Sequence, residues 1–255
     1  QIIVGTPGRI SELIKQKKIK MHEVKTIVLD EGDQLLQPEH LSDIKNIIKT
    51  TLKDRQLLLF SATLPEKTEA EAKSLMQNPE VIKVSRDESV QSEVDHIYFT
   101  AEARDKIDLL QKLSRIDGAK AIAFVKDIGN AAVLAEKLMY KGLPLGILHG
   151  DSTKRERETA IKSFRAGELP MLLATDVAAR GLDIEGVTHV IHYDLPETVE
   201  QYVHRSGRTG RNGADGTVVS LVTEREEREL KQICRGLKVE LHKKRFYKGE
   251  IVESK

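Results

Sequence analysis

The sequence predicts an α/β protein of parallel sheets with flanking helices, arranged as one partial block and one complete block. Three observations predict this. Short apolar runs alternate with longer amphipathic stretches. Several of the runs are apolar throughout, as strands covered on both faces are. The alternation stops at a polar segment and then restarts. The chain has 255 residues, of which 39% are hydrophobic, enough for a real core in about one or two domains.

Taken in order, Ile2-Ile3-Val4 reads as a strand in progress, so the chain is expected to start inside a domain. Residues 11–18 read as a helix, Ile27-Val28-Leu29 as a strand, and residues 41–52 as a helix. Leu57-Leu58-Leu59-Phe60 is the next strand; residues 66–77 have helical composition, which Asn78-Pro79 ends. Val81-Ile82-Lys83-Val84 closes the first block as a strand. The polar stretch 85–93 has one isolated valine and no apolar periodicity, as expected of a linker. The second block offers strands at 121–125, 145–149, 171–175, 187–193 and Gly216–Val222. Its helices are expected at 128–141, 153–165, 198–204 and 224–235. The division is therefore 1–86 for the partial block, 87–92 for the linker and 93–240 for the complete block. A short basic tail, 241–255, carries Lys243-Lys244-Arg245 beside Phe246 and Tyr247 and reads as a frayed terminus.

Composition excludes several classes. The apolar runs are far too short to span a bilayer, so no membrane partner is expected. A single cysteine, Cys234, excludes an internal disulfide framework and a multi-cysteine zinc site, and suits a reducing cytoplasmic setting. With 41 Lys+Arg against 40 Asp+Glu the net charge is +1, which is not that of a polycation but leaves room for a local basic groove.

Chemistry-bearing residues fall at strand ends. Asp30-Glu31-Gly32-Asp33 follows a buried-type strand, at the edge where open α/β sheets bind ligands. An aspartate there suits Mg²⁺, directly or through water, and a neighbouring glutamate suits activation of water; a solvated acidic turn reads the same way. Ser61-Ala62-Thr63 follows the next strand, where its hydroxyls also suit a helix cap ahead of Pro65. Residues 174–183, from Ala174-Thr175 through Gly181 to Asp183, combine small residues with an acid suited to a ribose hydroxyl; a structured loop is the alternative. His204-Arg205-Ser206-Gly207-Arg208-Thr209-Gly210-Arg211 sets three arginines among two glycines, and guanidinium forks suit phosphate oxygens. Arg208 and Arg211 would project alike if this segment is helical; an exposed basic loop is the bland reading. Thr6-Pro7-Gly8-Arg9 and His149-Gly150-Asp151 are weaker turn signals, and His149 reads as structural.

In this order, the segments resemble the DEAD-box family of ATP-dependent RNA helicases, over nearly the whole chain. The resemblance implies two RecA-like lobes, with ATP and Mg²⁺ as cofactors and RNA as partner. Asp30 would hold Mg²⁺ through water and Glu31 would activate the attacking water. Asp33, Ser61, Thr63 and His204 would couple the lobes, and Asp183 would contact the ribose. Arg208 and Arg211 would act as arginine fingers on the γ-phosphate. Thr6, Gly8 and Arg9, with Gly150, Thr175 and Arg205, would hold RNA through its sugar-phosphate backbone, independent of sequence.

The chain departs from the family pattern twice. Gly32 stands where the family has alanine, which adds backbone freedom at the acidic loop. No Gly-x-x-x-x-Gly-Lys-Ser/Thr loop occurs in the 255 residues, and the family's adenine-reading glutamine segment is absent too. Both are expected upstream of Thr6, so these residues alone are expected to be inactive and to expose apolar faces in 1–86. A non-catalytic RNA-binding or regulatory module is the alternative function, and a DNA helicase a third. Retention of Asp30, Glu31, Arg208 and Arg211 favours descent from an active enzyme.

Overall fold

A computed structural model describes residues 2–83, 94–179, 184–211 and 213–254, in two compact units divided at Val84. The first unit holds α1 (Pro7–Lys15), β1 (Thr26–Leu29), α2 (Gly32–Leu35), α3 (Pro38–Lys49), β2 (Gln56–Leu59) and α4 (Glu66–Leu75). β1 and β2 pair in parallel with Leu29 opposite Leu59, so the segments that follow them leave side by side. Leu29, Leu36, Ile44, Ile48 and Ala72 form a small core beneath this ribbon.

Ile2-Ile3-Val4 and residues 81–83 do not form strands, contrary to expectation. An apolar run becomes a strand only where a neighbour completes its ladder, and β1 and β2 pair only with each other. Apolar side chains stay in water accordingly: Val28 is 54% exposed, Phe60 57% and Ile2 91%.

The second unit is built on an eight-stranded sheet in the order β10-β9-β3-β8-β7-β4-β6-β5. Its strands are β3 (Val94–Thr100), β4 (Ala121–Phe124), β5 (Leu145–Leu148), β6 (Met171–Ala174), β7 (His189–His192), β8 (Gly216–Val222), β9 (His242–Tyr247) and β10 (Glu250–Glu253). All run parallel except β10, which folds back on β9. The helices are α5 (Lys106–Leu113), α6 (Ile128–Tyr140), α7 (Lys154–Arg165), α8 (Asp176–Ala179), α9 (Val199–Ser206) and α10 (Glu224–Leu237). β4 and β6 are buried at every position, which is why they read as unbroken apolar runs. Two cores lie on opposite faces of the sheet, one around Phe99, Ala123 and Leu173, the other around Tyr98, Phe124 and Tyr202.

Helix starts follow the capping residues. Thr153 and Thr223 each close a capping box with a glutamate three residues on, and Asp127 and Thr198 accept from Asn130 and Gln201. The tail is not frayed. Residues 242–253 form the β9–β10 hairpin, and β9 pairs in parallel with β3.

Candidate functional site

In the first unit the acidic segment and the Ser-Ala-Thr segment meet. The peptide after β1 is pinned to the peptide after β2: Phe60 N–H donates to Leu29 O at 2.8 Å and Gly32 N–H to Phe60 O at 2.9 Å. Asp33, only 1% exposed, then receives Thr63 Oγ1 on Oδ2 at 2.8 Å and Gln34 N–H on Oδ1 at 3.1 Å. Its own N–H donates to Ser61 Oγ at 3.1 Å, and Ser61 Oγ donates in turn to Thr63 O. Asp33, Ser61 and Thr63 therefore form one network, with both carboxylate oxygens engaged, and the solvated-turn alternative is excluded for Asp33.

Asp30 and Glu31 stand apart from that network. Asp30 is exposed and its Oδ1 accepts Glu31 N–H at 2.9 Å. Glu31 lies in the left-handed region, φ 53° and ψ 52°, and caps α2. A non-glycine residue held there costs about 1–3 kcal/mol, a strain that clusters at functional sites. Gly32 does not supply the backbone freedom expected of it, because the left-handed residue is Glu31. Gly32 is needed for space: a Cβ there would lie 2.6 Å from Leu59 Cδ2 and 2.7 Å from Leu59 Cγ.

The donor set fits Mg²⁺. That ion keeps several waters and takes one or two carboxylates together with phosphate oxygens. Asp30 offers such a carboxylate at a strand end. No group of three or more His, Cys, Asp or Glu among the described residues is placed to hold an ion alone.

On the same unit Thr6 caps α1, Pro7 fills its first position, and Gly8 has open space around it. Arg9 is exposed and pairs with Glu12. The first turn thus presents its N–H groups and a guanidinium to solvent, a favourable setting for a phosphate.

In the second unit Gly150 follows β5 in an exposed turn, with open space where a Cβ would stand. His149 supports that turn through its backbone: its N–H donates to Ser152 Oγ at 3.1 Å, and its carbonyl accepts Ser152 N–H at 3.1 Å. Thr175 is buried at the end of β6, and its Oγ1 and the His149 Nδ1 both lack a hydrogen-bond partner among the described residues. Buried polar atoms without a partner are rare and call for an explanation.

Arg205, expected on the RNA surface, is instead buried at 3% exposure. Its Nε and one terminal nitrogen each donate to Asp176 at 2.7 Å, the other donates to Asp194 O at 2.7 Å, and the guanidinium lies 5.1 Å from the Phe124 ring centre. Every face of the fork is committed, so Arg205 ties α9 to the ends of β4, β6 and β7.

Nor is the arginine-glycine segment helical throughout, because α9 ends at Ser206. Arg208 and Arg211, both half-buried, turn back on the carbonyls of His204 and Gly207. Thr209 fixes the turn, donating to Val187 O at 2.7 Å. Gly216 lets it approach: a Cβ there would sit 2.5 Å from Thr209 Oγ1. His204 and Arg208 line a shallow cleft with Gln201, Arg205 and Asp176. Asp183 lies outside the described residues.

Asp176, Thr209 and Gly216 escaped the sequence reading as site-building residues. Asp176 had a signal, an acid directly after Thr175 and an arginine in the later segment with which to pair. Gly216 had none beyond its place at a strand start.

A buried histidine also organises this unit. His192 meets Ser220 Oγ through Nδ1 at 3.1 Å and packs edge-on against Tyr202, whose hydroxyl contacts His96 Nδ1 at 2.7 Å. Burial pushes the His192 imidazolium well below the usual histidine range and raises the Tyr202 phenol.

Two parallel α/β units, an acidic strand-end loop wired to a Ser-Ala-Thr segment and an arginine-glycine turn define a class: the RecA-like helicase core. Profile comparison places residues 1–72 in the DEAD/DEAH box helicase family and residues 105–213 in the helicase conserved C-terminal domain. The chain belongs to the DEAD-box family of ATP-dependent RNA helicases.

It is 57% identical over 250 residues to the probable ATP-dependent RNA helicase YfmL of Bacillus subtilis, covering 98% of this chain and 66% of that protein. It is 48% identical over 255 residues to the DEAD-box ATP-dependent RNA helicase CshC of Bacillus cereus, covering all of this chain and 65% of that one. It thus spans just under two thirds of these relatives. Among solved structures it resembles S. cerevisiae Dbp5 bound to RNA and ADP BeF3, at 33% identity and a TM-score of 0.86, over 95% of this chain and 65% of that one. It also resembles E. coli DEAD-box protein SrmB bound to regulator of ribonuclease activity A, at 34% identity and a TM-score of 0.57, over 61% of this chain and 92% of that one.

Proposed function

We propose that the chain is the larger part of an RNA-dependent ATPase that uses ATP and Mg²⁺ to separate short RNA duplexes or remodel RNA–protein complexes. The Asp33–Ser61–Thr63 network beside an exposed Asp30 and a strained Glu31 carries this reading. A binding module has no use for three carboxylates split in this way, one buried and wired to the Ser-Ala-Thr segment, two outside that network.

Residues 1–86 belong to the ATP-binding lobe, 87–92 to the linker and 93–255 to the C-terminal lobe, whose sheet takes in the β9–β10 hairpin. Asp30 is the Mg²⁺ ligand, through water. When bound, the ion neutralises charge on the phosphate oxygens. Glu31 orients a water and accepts its proton. Arg208 and Arg211 stabilise charge on the transferred phosphoryl group, a contribution worth about 10³–10⁵ in rate. Asp183 holds the ribose. Asp33, Ser61, Thr63 and His204 transmit the nucleotide state between lobes.

RNA lies on the α1 N-terminus, through Thr6, Gly8 and Arg9, and on Gly150 and Thr175 of the second lobe. A ribose hydroxyl or phosphate reaching Thr175 gives a bond to its Oγ1, which has none among the described residues. Arg205 supports that surface through Asp176, the neighbour of Thr175, and does not touch RNA. Such backbone binding is sequence-independent and falls with salt. The lone thiol, buried in the second core, suits the cytoplasm.

Unwinding of a short RNA duplex by the complete protein tests the reading. Strand separation is expected with ATP and Mg²⁺ and not without ATP. ATP-independent RNA binding with no unwinding would favour the regulatory-module alternative instead.

A further inference from the structure

The β9–β10 hairpin has no part in the activity proposed above. Phe246 anchors it, stacked on Phe99 with ring centres 5.2 Å apart, and Ile251 packs on the same core. Side chains alternate along a strand, so Arg245 and Tyr247 face the other way. Tyr247 is 53% exposed. The Arg245 guanidinium lies 5.4 Å from its ring centre and the Lys248 ammonium 5.6 Å. Their neighbours Lys243 and Lys244 are paired with Glu227 and Glu253. Arg245 and Lys248 have no acidic partner among the described residues. Two uncompensated cations thus flank an exposed ring.

Topology puts this feature on the RNA edge of the lobe. β9 runs parallel to β3, and through it to every strand of the sheet but β10. Its C-terminal end, Tyr247 and the Lys248-Gly249 turn, therefore lies on the same edge as the ends of β5 and β6, which carry Gly150 and Thr175. β9 stands five strand spacings from β6, about 24 Å.

We propose that the hairpin tip is an accessory site for single-stranded RNA. One base stacks on Tyr247, while Arg245 and Lys248 leave the ring for adjoining phosphates. Aromatic rings flanked by basic side chains bind single strands in this way, tolerant of sequence because every base has a π-face. The proposal rests on the RNA surface assigned to Gly150 and Thr175.

The experiment measures affinity of the complete protein for two labelled oligouridylates in the presence of a non-hydrolysable ATP analogue. One fills only the core site; the other is long enough to cross the lobe. Tyr247→Ala is expected to weaken the long RNA about tenfold and leave the short one unchanged. Arg245→Gln with Lys248→Gln is expected to flatten the salt dependence for the long RNA by about 1.4 in log–log slope. All three positions are exposed, so unchanged melting temperatures are expected. Unchanged long-RNA affinity in these variants, or equal loss at both lengths, overturns the proposal. A wild-type protein that binds neither RNA overturns the functional reading with it.

Discussion

At the scale of single residues, Gly32 and Arg205 change most from what their sequence context suggested. Gly32 sits where the family has alanine, and the structure gives a steric reason: Leu59 fills the place of the methyl group. Gly32→Ala is therefore expected to cost about 1–3 kcal/mol of stability through overpacking. It should also slow turnover, because the displaced peptide carries Asp33. Adding Leu59→Ala should recover part of both losses, a coupling that urea unfolding of the four proteins of the cycle would read. Arg205 forms a buried, bidentate pair with Asp176. Arg205→Ala leaves the partly buried Asp176 carboxylate unpaired, and a loss of about 3–5 kcal/mol is expected. An unchanged melting temperature with weakened RNA binding would restore the surface role. Sequence singled out both segments, yet it could not show which arginine of the three turns inward. That depends on Asp176 and the Asp194 carbonyl, which only the fold brings near.

At the scale of elements, legibility followed burial. β4, β6 and β8 were visible because sheets covered on both faces leave few polar residues in the run. β3 was not singled out because Asp95 and His96 interrupt it, one exposed and one bonded to Tyr202. β9 was read as a frayed basic tail because its outward positions hold Lys243 and Arg245, and charge near a sheet margin looks like disorder in sequence alone. Its attachment runs through Glu227 of α10. That carboxylate accepts Tyr98 and Thr100 hydroxyls from β3 and the ammonium groups of Lys231 and Lys243. Lys231, then Tyr98 and Lys243, hold it down to about 2, against an ordinary value of 4.5. A depressed carboxylate stabilises the fold fully above about pH 4.5 and loses that contribution as pH falls towards 2. Glu227→Gln is expected to cost about 1–3 kcal/mol at neutral pH and to remove this part of the acid sensitivity. Denaturant unfolding from pH 7 to pH 3 checks both.

At the scale of the whole molecule, charge and site must be considered together. A net charge of +1 hides local order. In the proposed function Arg9, Arg208 and Arg211 meet phosphates and Asp30 the cation that accompanies them, while Arg205 is neutralised inside the fold by Asp176. The two-unit organisation was legible because linkers lose apolar periodicity. The strand status of Ile2-Ile3-Val4 was not, since a strand is defined by its neighbours. In the proposed function both units serve one ATP cycle driven by RNA. Steady-state ATP hydrolysis by the complete protein, with and without RNA, tests it most directly, with Glu31→Gln and Arg208→Ala assayed beside the parent. Stimulation by RNA in the parent, and its loss by at least about 10³-fold in each variant, is the expected result. RNA-stimulated turnover that persists unchanged in either variant would contradict it.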